Sequence, residues 1–149
     1  MHVRVCVCRL QMAQTAMIMC AATRNSLVII DEIGRGTEVE AGTAMAGAVL
    51  EDLHDRVRCR TITATHLRGL NTMATRLSGM RNLQAQVYRL PDPQGRDDDG
   101  THDVVFTYRM VPGVATESYA FEIAMWAGLP QAVVDRARVL LTKQSGDRQ

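Results

Sequence analysis

A short apolar run, Leu27 to Ile30, ends on two adjacent carboxylates, Asp31 and Glu32, and gives way to a glycine-bracketed loop, Gly34-Arg35-Gly36-Thr37. Two anions side by side suit a dication. One carboxylate can hold Mg²⁺ or its water shell while the other orients and polarises an attacking water, the division of labour that phosphoryl transfer needs. A second β-branched run, Thr61 to Thr65, is followed at once by His66 in the stretch ITATH, where an imidazole can hydrogen-bond a terminal phosphate. The plainer alternatives are a turn cap for Asp31, a solvated surface acid for Glu32 and a structural role for His66. Two strands ending in DE and in TH within one chain favour the chemical reading.

These side chains meet only if the elements carrying them do. The Leu27 run reads as a strand buried on both faces of a parallel sheet, and in open α/β sheets ligands bind at the carboxyl ends of the strands. Met12, Ala16, Met19 and Ala22 recur at helical intervals before it, and Ala44, Val49, Leu50 and Leu53 imply a second helix after it. The order strand, helix, strand predicts parallel pairing with a right-handed crossover, which places His66 at the same edge as Asp31 and Glu32. Leu83 to Leu90 and Val104 to Met110 are also strand-like, separated by PDPQGRDDDGTHD, which predicts a long hairpin with a solvated tip. The Asp97-Asp98-Asp99 run in that tip reads as solvated charge rather than as a metal site. Two helices follow, Glu117 to Ala127 and Gln131 to Leu141, broken by Gly128-Leu129-Pro130, with Pro130 suited to the first turn of the last helix. The fold class expected is α/β, as a single domain without internal repeats.

Composition narrows the function classes. With 149 residues, 46% hydrophobic and 22% charged, the chain matches one globular domain able to bury a core. A net charge of +1 gives no strong bulk attraction to nucleic acid. Lys143 is the only lysine among 17 basic residues, a skew without functional weight here. Cys6, Cys8, Cys20 and Cys59 lack metal-ligand spacing, and a reduced, intracellular compartment is the simplest reading. No apolar run approaches the roughly 20 residues that span a bilayer, so no membrane role is expected. The opening MHVRVCVCRL is too short and too poor in serine for a transit peptide.

An apolar strand closing on Asp-Glu is the Walker B arrangement of phosphate-handling ATPases. With MAQTAMIMCAAT leading into SLVIIDEIGRGT, then TATH, then SYAFEIAMWAGLPQAVVDRARVLL, the chain resembles the carboxyl-terminal part of the ATPase domain of the MutS family of DNA mismatch-recognition proteins. The likeness covers residues 12–142, with 1–11 unassigned and 143–149 a tail. It implies a partial ABC-type, P-loop NTPase-like domain that uses ATP and Mg²⁺ and works in DNA mismatch repair. By the same resemblance Asp31 serves the Mg²⁺, Glu32 is the catalytic base and His66 contacts the γ-phosphate. Gly34, Gly36 and Thr37 belong to a signature loop at the seam with a second MutS-type subunit. Tyr108 falls where the family can place a ring near the adenine, its alternative being a strand aromatic packed on the hairpin. Residues 118–141 resemble the family's helix-turn-helix, which packs on the partner subunit, with Trp126 as a core or interface anchor.

The departures are specific. After Thr37 the family usually continues Ser-Thr-x-Asp-Gly, whereas this chain has Glu38-Val39-Glu40-Ala41-Gly42; with THLRGL, this is most similar to the plant organellar branch. Gln11 and Gln14 stand where glutamates are common, and Cys6 and Val7 occupy the position of the family's trans contact to the partner's ATP. The phosphate-cradling motif G-x-x-x-x-G-K-[ST] does not occur in the sequence, so the chain is expected to be about half of an ATPase domain. Mismatched DNA would then be met only through parts of the family architecture absent from this chain. The alternative is a catalytically silent fragment acting as a dimerisation or interaction module. The compartment is expected to be intracellular: an organelle, mitochondrion or chloroplast, or the nucleus.

Overall fold

The computed structural model describes residues 2–90 and 104–146, with side chains described for 9–90 and 104–143. The expected hairpin tip, including Asp97-Asp98-Asp99, lies outside the described residues, as do the side chains of Cys6 and Cys8. The chain divides into two compact units, Met1–Arg81 and Asn82–Gln149.

The first unit runs α1 (His2–Ala21), β1 (Leu27–Asp31), α2 (Val39–Asp52), β2 (Arg60–Ala64) and the single turn α3 (Met73–Arg76). Helix α1 takes in most of the segment that the sequence left unassigned. No Gly or Pro interrupts residues 2–21, and the β-branched residues near its start cost only a few tenths of a kcal/mol each, on the order of 0.5. Helix α2 widens into a π turn over Leu53–Val57, which Arg58 ends in the left-handed region at φ 58°. Leu53, fully buried, roots that turn in the core.

Strands β1 and β2 pair in parallel, Leu27 opposite Arg60 through Asp31 opposite Ala64. The expectation that β1 is buried on both faces is corrected. Val28 is 5% exposed and faces the core, but Leu27, Ile29 and, across the ladder, Ile62 are 60%, 67% and 60% exposed. Side chains alternate along a strand, and among the described residues the helices and turns of this unit cover only one face. An unbroken apolar run does not say which faces will be covered. Strand β2 also starts one residue before the expected Thr61 and ends before Thr65, whose hydroxyl accepts a 3.0 Å hydrogen bond from the Leu67 N–H and turns the chain just after His66.

The second unit is an antiparallel pair, β3 (Leu83–Arg89) and β4 (Val104–Pro112), followed by α4 (Ala120–Trp126) and α5 (Gln131–Gly146). The break between the helices has a defined chemistry. Gly128, at φ 85°, donates to the Met125 carbonyl and Leu129 to the Ala124 carbonyl, the pair of bonds that closes a helix on a left-handed glycine. The Pro130 carbonyl then accepts from the Val133 and Val134 N–H groups and opens α5. Phe106 of β4 meets Tyr119 and Trp126 edge-to-face, with centroids 5.6 and 5.8 Å apart. Together these elements give a mixed α/β architecture.

Candidate functional site

The parallel register brings the carboxylate pair and the histidine to one edge. Asp31 is the last residue of β1 and is exposed, on the same face of the strand as Leu27 and Ile29. The Glu32 N–H extends the ladder by one bond, 2.9 Å to the Ala64 carbonyl. At Glu32 the backbone then turns into the left-handed region, φ 49°, a strained conformation for a residue with a side chain. The Glu32 carboxylate is held on both oxygens: Oε1 is 3.4 Å from His66 Nδ1 and Oε2 is 3.2 Å from the Arg35 guanidinium. The histidine and the carboxylate, each just past the end of one of the two paired strands, are therefore in direct contact.

The loop after Glu32 is shaped by close backbone approach. Ile33 is 1% exposed and pins it to the core. Gly34, at φ 85°, lies against Gly42 in α2 so closely that a Cβ on residue 34 would stand 2.9 Å from the Gly42 carbonyl oxygen. Only glycine meets both demands. Arg35, Gly36 and Thr37 are exposed, and the Glu38 carbonyl receives the Gly42 N–H at 2.8 Å as α2 begins.

Tyr108 belongs to the second unit. The β3–β4 register shifts between Ala85 and Val87, so that three residues of β4 are accommodated opposite Gln86. Thr107 ties this bulge down by donating to the Gln86 carbonyl at 3.0 Å, and Tyr108 is extruded at φ 58° with 96% exposure. The packed-strand alternative for this ring is thereby excluded. Trp126, 55% exposed, is a half-covered aromatic resting on Phe106 rather than a sealed core residue.

Two further residues touch the site whose contacts with Glu32 the reading of motifs did not give. That of Arg35 could have been noticed from its i, i+3 spacing to Glu32. That of Gln11, noted in the sequence only as a departure from the family's glutamate, could not: its Nε2 donates to the Glu32 carbonyl at 2.9 Å from α1, a contact over 21 residues of sequence. Among the described residues no group of three or more His, Cys, Asp or Glu side chains forms a metal cage, and no helix is long and apolar enough to cross a membrane.

Comparison with known proteins gives a consistent result. The family description "MutS domain V" matches residues 5–144. The chain is 41% identical over 131 residues to a DNA mismatch repair protein MutS of Solibacter usitatus, covering 88% of this chain and 14% of that protein. It is 44% identical over 131 residues to the MutS of an Anaeromyxobacter species, covering 88% and 14%. It is also 44% identical over 132 residues to a DNA mismatch repair protein MutS 2 of Haloarcula marismortui, covering 89% and 13%. The chain thus spans about one seventh of the length of these relatives. A match over nearly the whole chain, together with identities of this size, makes it a member of the MutS domain V family.

Proposed function

We propose that this chain is the Walker B-bearing part of an ATP-dependent DNA mismatch-repair ATPase, with an ABC-type, P-loop NTPase-like organisation. The observation that carries this reading is the contact between Glu32 and His66 at the carboxyl edge of a parallel sheet. Glu32 would act as general base, taking a proton from the attacking water. In the imidazolium form both ring nitrogens carry a proton, so a protonated His66 would turn Nδ1–H to Glu32 and donate Nε2–H to a γ-phosphate oxygen of ATP. Asp31 would hold Mg²⁺. Its exposed carboxylate is the hard oxygen donor that Mg²⁺ prefers, and that ion is usually bound by one or two carboxylates together with phosphates and water rather than by a closed protein cage. When bound, the ion supplies neutralisation of charge on the phosphate oxygens.

Gly34, Gly36 and Thr37 would lie at the seam with a second MutS-type subunit, which the helix pair α4–α5 would also contact. Tyr108, extruded at its bulge, offers a free ring face for stacking on the adenine. Mismatched DNA would be engaged through parts of the architecture outside this chain. Glu38-Val39-Glu40-Ala41-Gly42 and THLRGL support the plant organellar branch, and the location would be intracellular, in an organelle (mitochondrion or chloroplast) or in the nucleus.

A second reading, an interaction module without catalysis, is favoured by one observation: the motif G-x-x-x-x-G-K-[ST] does not occur in these 149 residues of sequence. Purified as it stands, the chain should show no hydrolysis above background, because a polarised water is idle unless the triphosphate is held in line with it. The two readings separate when the chain is joined to the P-loop half of a MutS ATPase domain. Glu32→Gln is then expected to keep ATP binding and lower turnover by a factor on the order of 10² or more. Asp31→Asn should lose Mg²⁺-dependent binding as well. Turnover unchanged by both substitutions would sink the ATPase reading.

A further inference from the structure

We infer that Gln11 is a positioning residue for Glu32, the clamp that keeps its backbone in the left-handed conformation and thereby aims its carboxylate at His66. The inference rests on the proposed role of Glu32 only for what the aimed carboxylate does; the clamp itself is a matter of geometry.

Glu32 is held from three directions. Its N–H is bonded to Ala64 of β2 at 2.9 Å, its carbonyl receives Gln11 Nε2 of α1 at 2.9 Å, and the following residue, Ile33, is buried to 1% exposure. A left-handed glutamate persists only where its surroundings over-determine it. Of the three restraints, the Gln11 bond is the one that fixes the orientation of the peptide between Glu32 and Ile33, because among the described residues it is the one that grips that carbonyl. With the carbonyl released, ψ of Glu32 and φ of Ile33 are freed, the carbonyl no longer resists rotation about the Glu32 N–Cα bond, and φ of Glu32 can relax to a negative value, which re-aims the Cα–Cβ bond and with it the carboxylate.

The chemistry of Gln11 supports a dedicated role. Its amide nitrogen faces a carbonyl, a position only a donor can take, since the flipped amide would set two acceptor oxygens against each other. Its Oε1 is buried with no hydrogen-bond partner among the described residues. A half-buried amide satisfied at one end costs more than an apolar side chain of the same length. Packing alone would therefore favour methionine at this position, and the residue's use is the single bond it donates.

The test uses the full 149-residue chain without nucleotide, so it is independent of whether the ATPase reading holds. The ring resonances of His66 are followed by NMR, and the shift produced by Glu32→Gln is measured in three backgrounds: wild type, Gln11→Met and Gln11→Lys. A clamp predicts a resolved shift in wild type, none in the Met background, and its return in the Lys background, where a donor of similar reach is kept. The intraresidue amide-to-Hα NOE of Glu32, strong at positive φ, should follow the same pattern. An undiminished shift and a strong NOE in Gln11→Met would overturn the clamp. Should Gln11→Met not fold, Gln11→Glu serves in its place, since it keeps the side chain's shape and replaces the donor by an acceptor that repels the carbonyl; retention of the shift there would equally overturn it.

Discussion

His66 Nδ1 stands 3.4 Å from Glu32 Oε1, and both side chains are open to solvent, 64% and 36% exposed. An exposed ion pair of this kind contributes little to stability, about 0–1 kcal/mol. Little of the folding free energy is therefore expected from this contact. His66→Asn should leave the melting temperature nearly unchanged while lowering ATP turnover of the completed domain by about 10²-fold, the scale for one lost transition-state donor. A large loss of stability with unchanged turnover would make His66 a structural residue.

Gly34 is the position in the loop where sequence freedom is smallest. Gly34→Ala must place a Cβ 2.9 Å from the Gly42 carbonyl oxygen while holding φ near 85°. The left-handed conformation alone costs roughly 1–2 kcal/mol for a residue with a side chain, and the backbone clash adds to it. A lowered denaturation midpoint with an unchanged slope is expected. An alanine variant as stable as wild type would mean that the loop has room to shift.

Leu27, Ile29 and Ile62 form an exposed apolar sheet face, and among the described residues β1 and β2 are paired only with each other. Uncovered apolar faces and unpaired strand edges drive association. The isolated chain should sediment as associated species. Ile29→Thr, which keeps β propensity and removes apolar area, should weaken that association by roughly tenfold, or about 1.4 kcal/mol. Monomeric sedimentation of the wild-type chain with a sharp two-state melt would remove this prediction.

Glu117 accepts two hydrogen bonds from Arg89, at 3.2 and 2.7 Å, linking β3 to the segment before α4. The Arg89 guanidinium, first by these bonds and then by its charge, holds the Glu117 carboxyl below its ordinary value. A carboxyl depressed in the folded state stabilises above its unfolded pKa, about 4.3, and that contribution is lost as pH falls through the folded value. The difference in melting temperature between wild type and Glu117→Gln should be present at pH 7 and close as pH falls below about 4. A gap that persists in acid would trace instead to packing.

What was legible in the sequence is local or periodic. The runs Leu27–Ile30 and Thr61–Thr65, the helix between them and the turn residues Gly128 and Pro130 each carry their signal in adjacent or regularly spaced side chains. Parallel order then sufficed to predict that Asp31, Glu32 and His66 share one edge. Three decisions belonged to the tertiary structure. The face of β1 left open depended on which elements cover it, which an apolar run does not encode. The extrusion of Tyr108 depended on register with β3, a property of two strands rather than one. The conformation of Glu32 is the clearest case. Its φ of 49° is disfavoured by the residue's own chemistry and is held by Ala64 and Gln11, which come to it from another strand and another helix. Local propensity points the other way at that residue, so only the assembled fold could set the direction of its carboxylate.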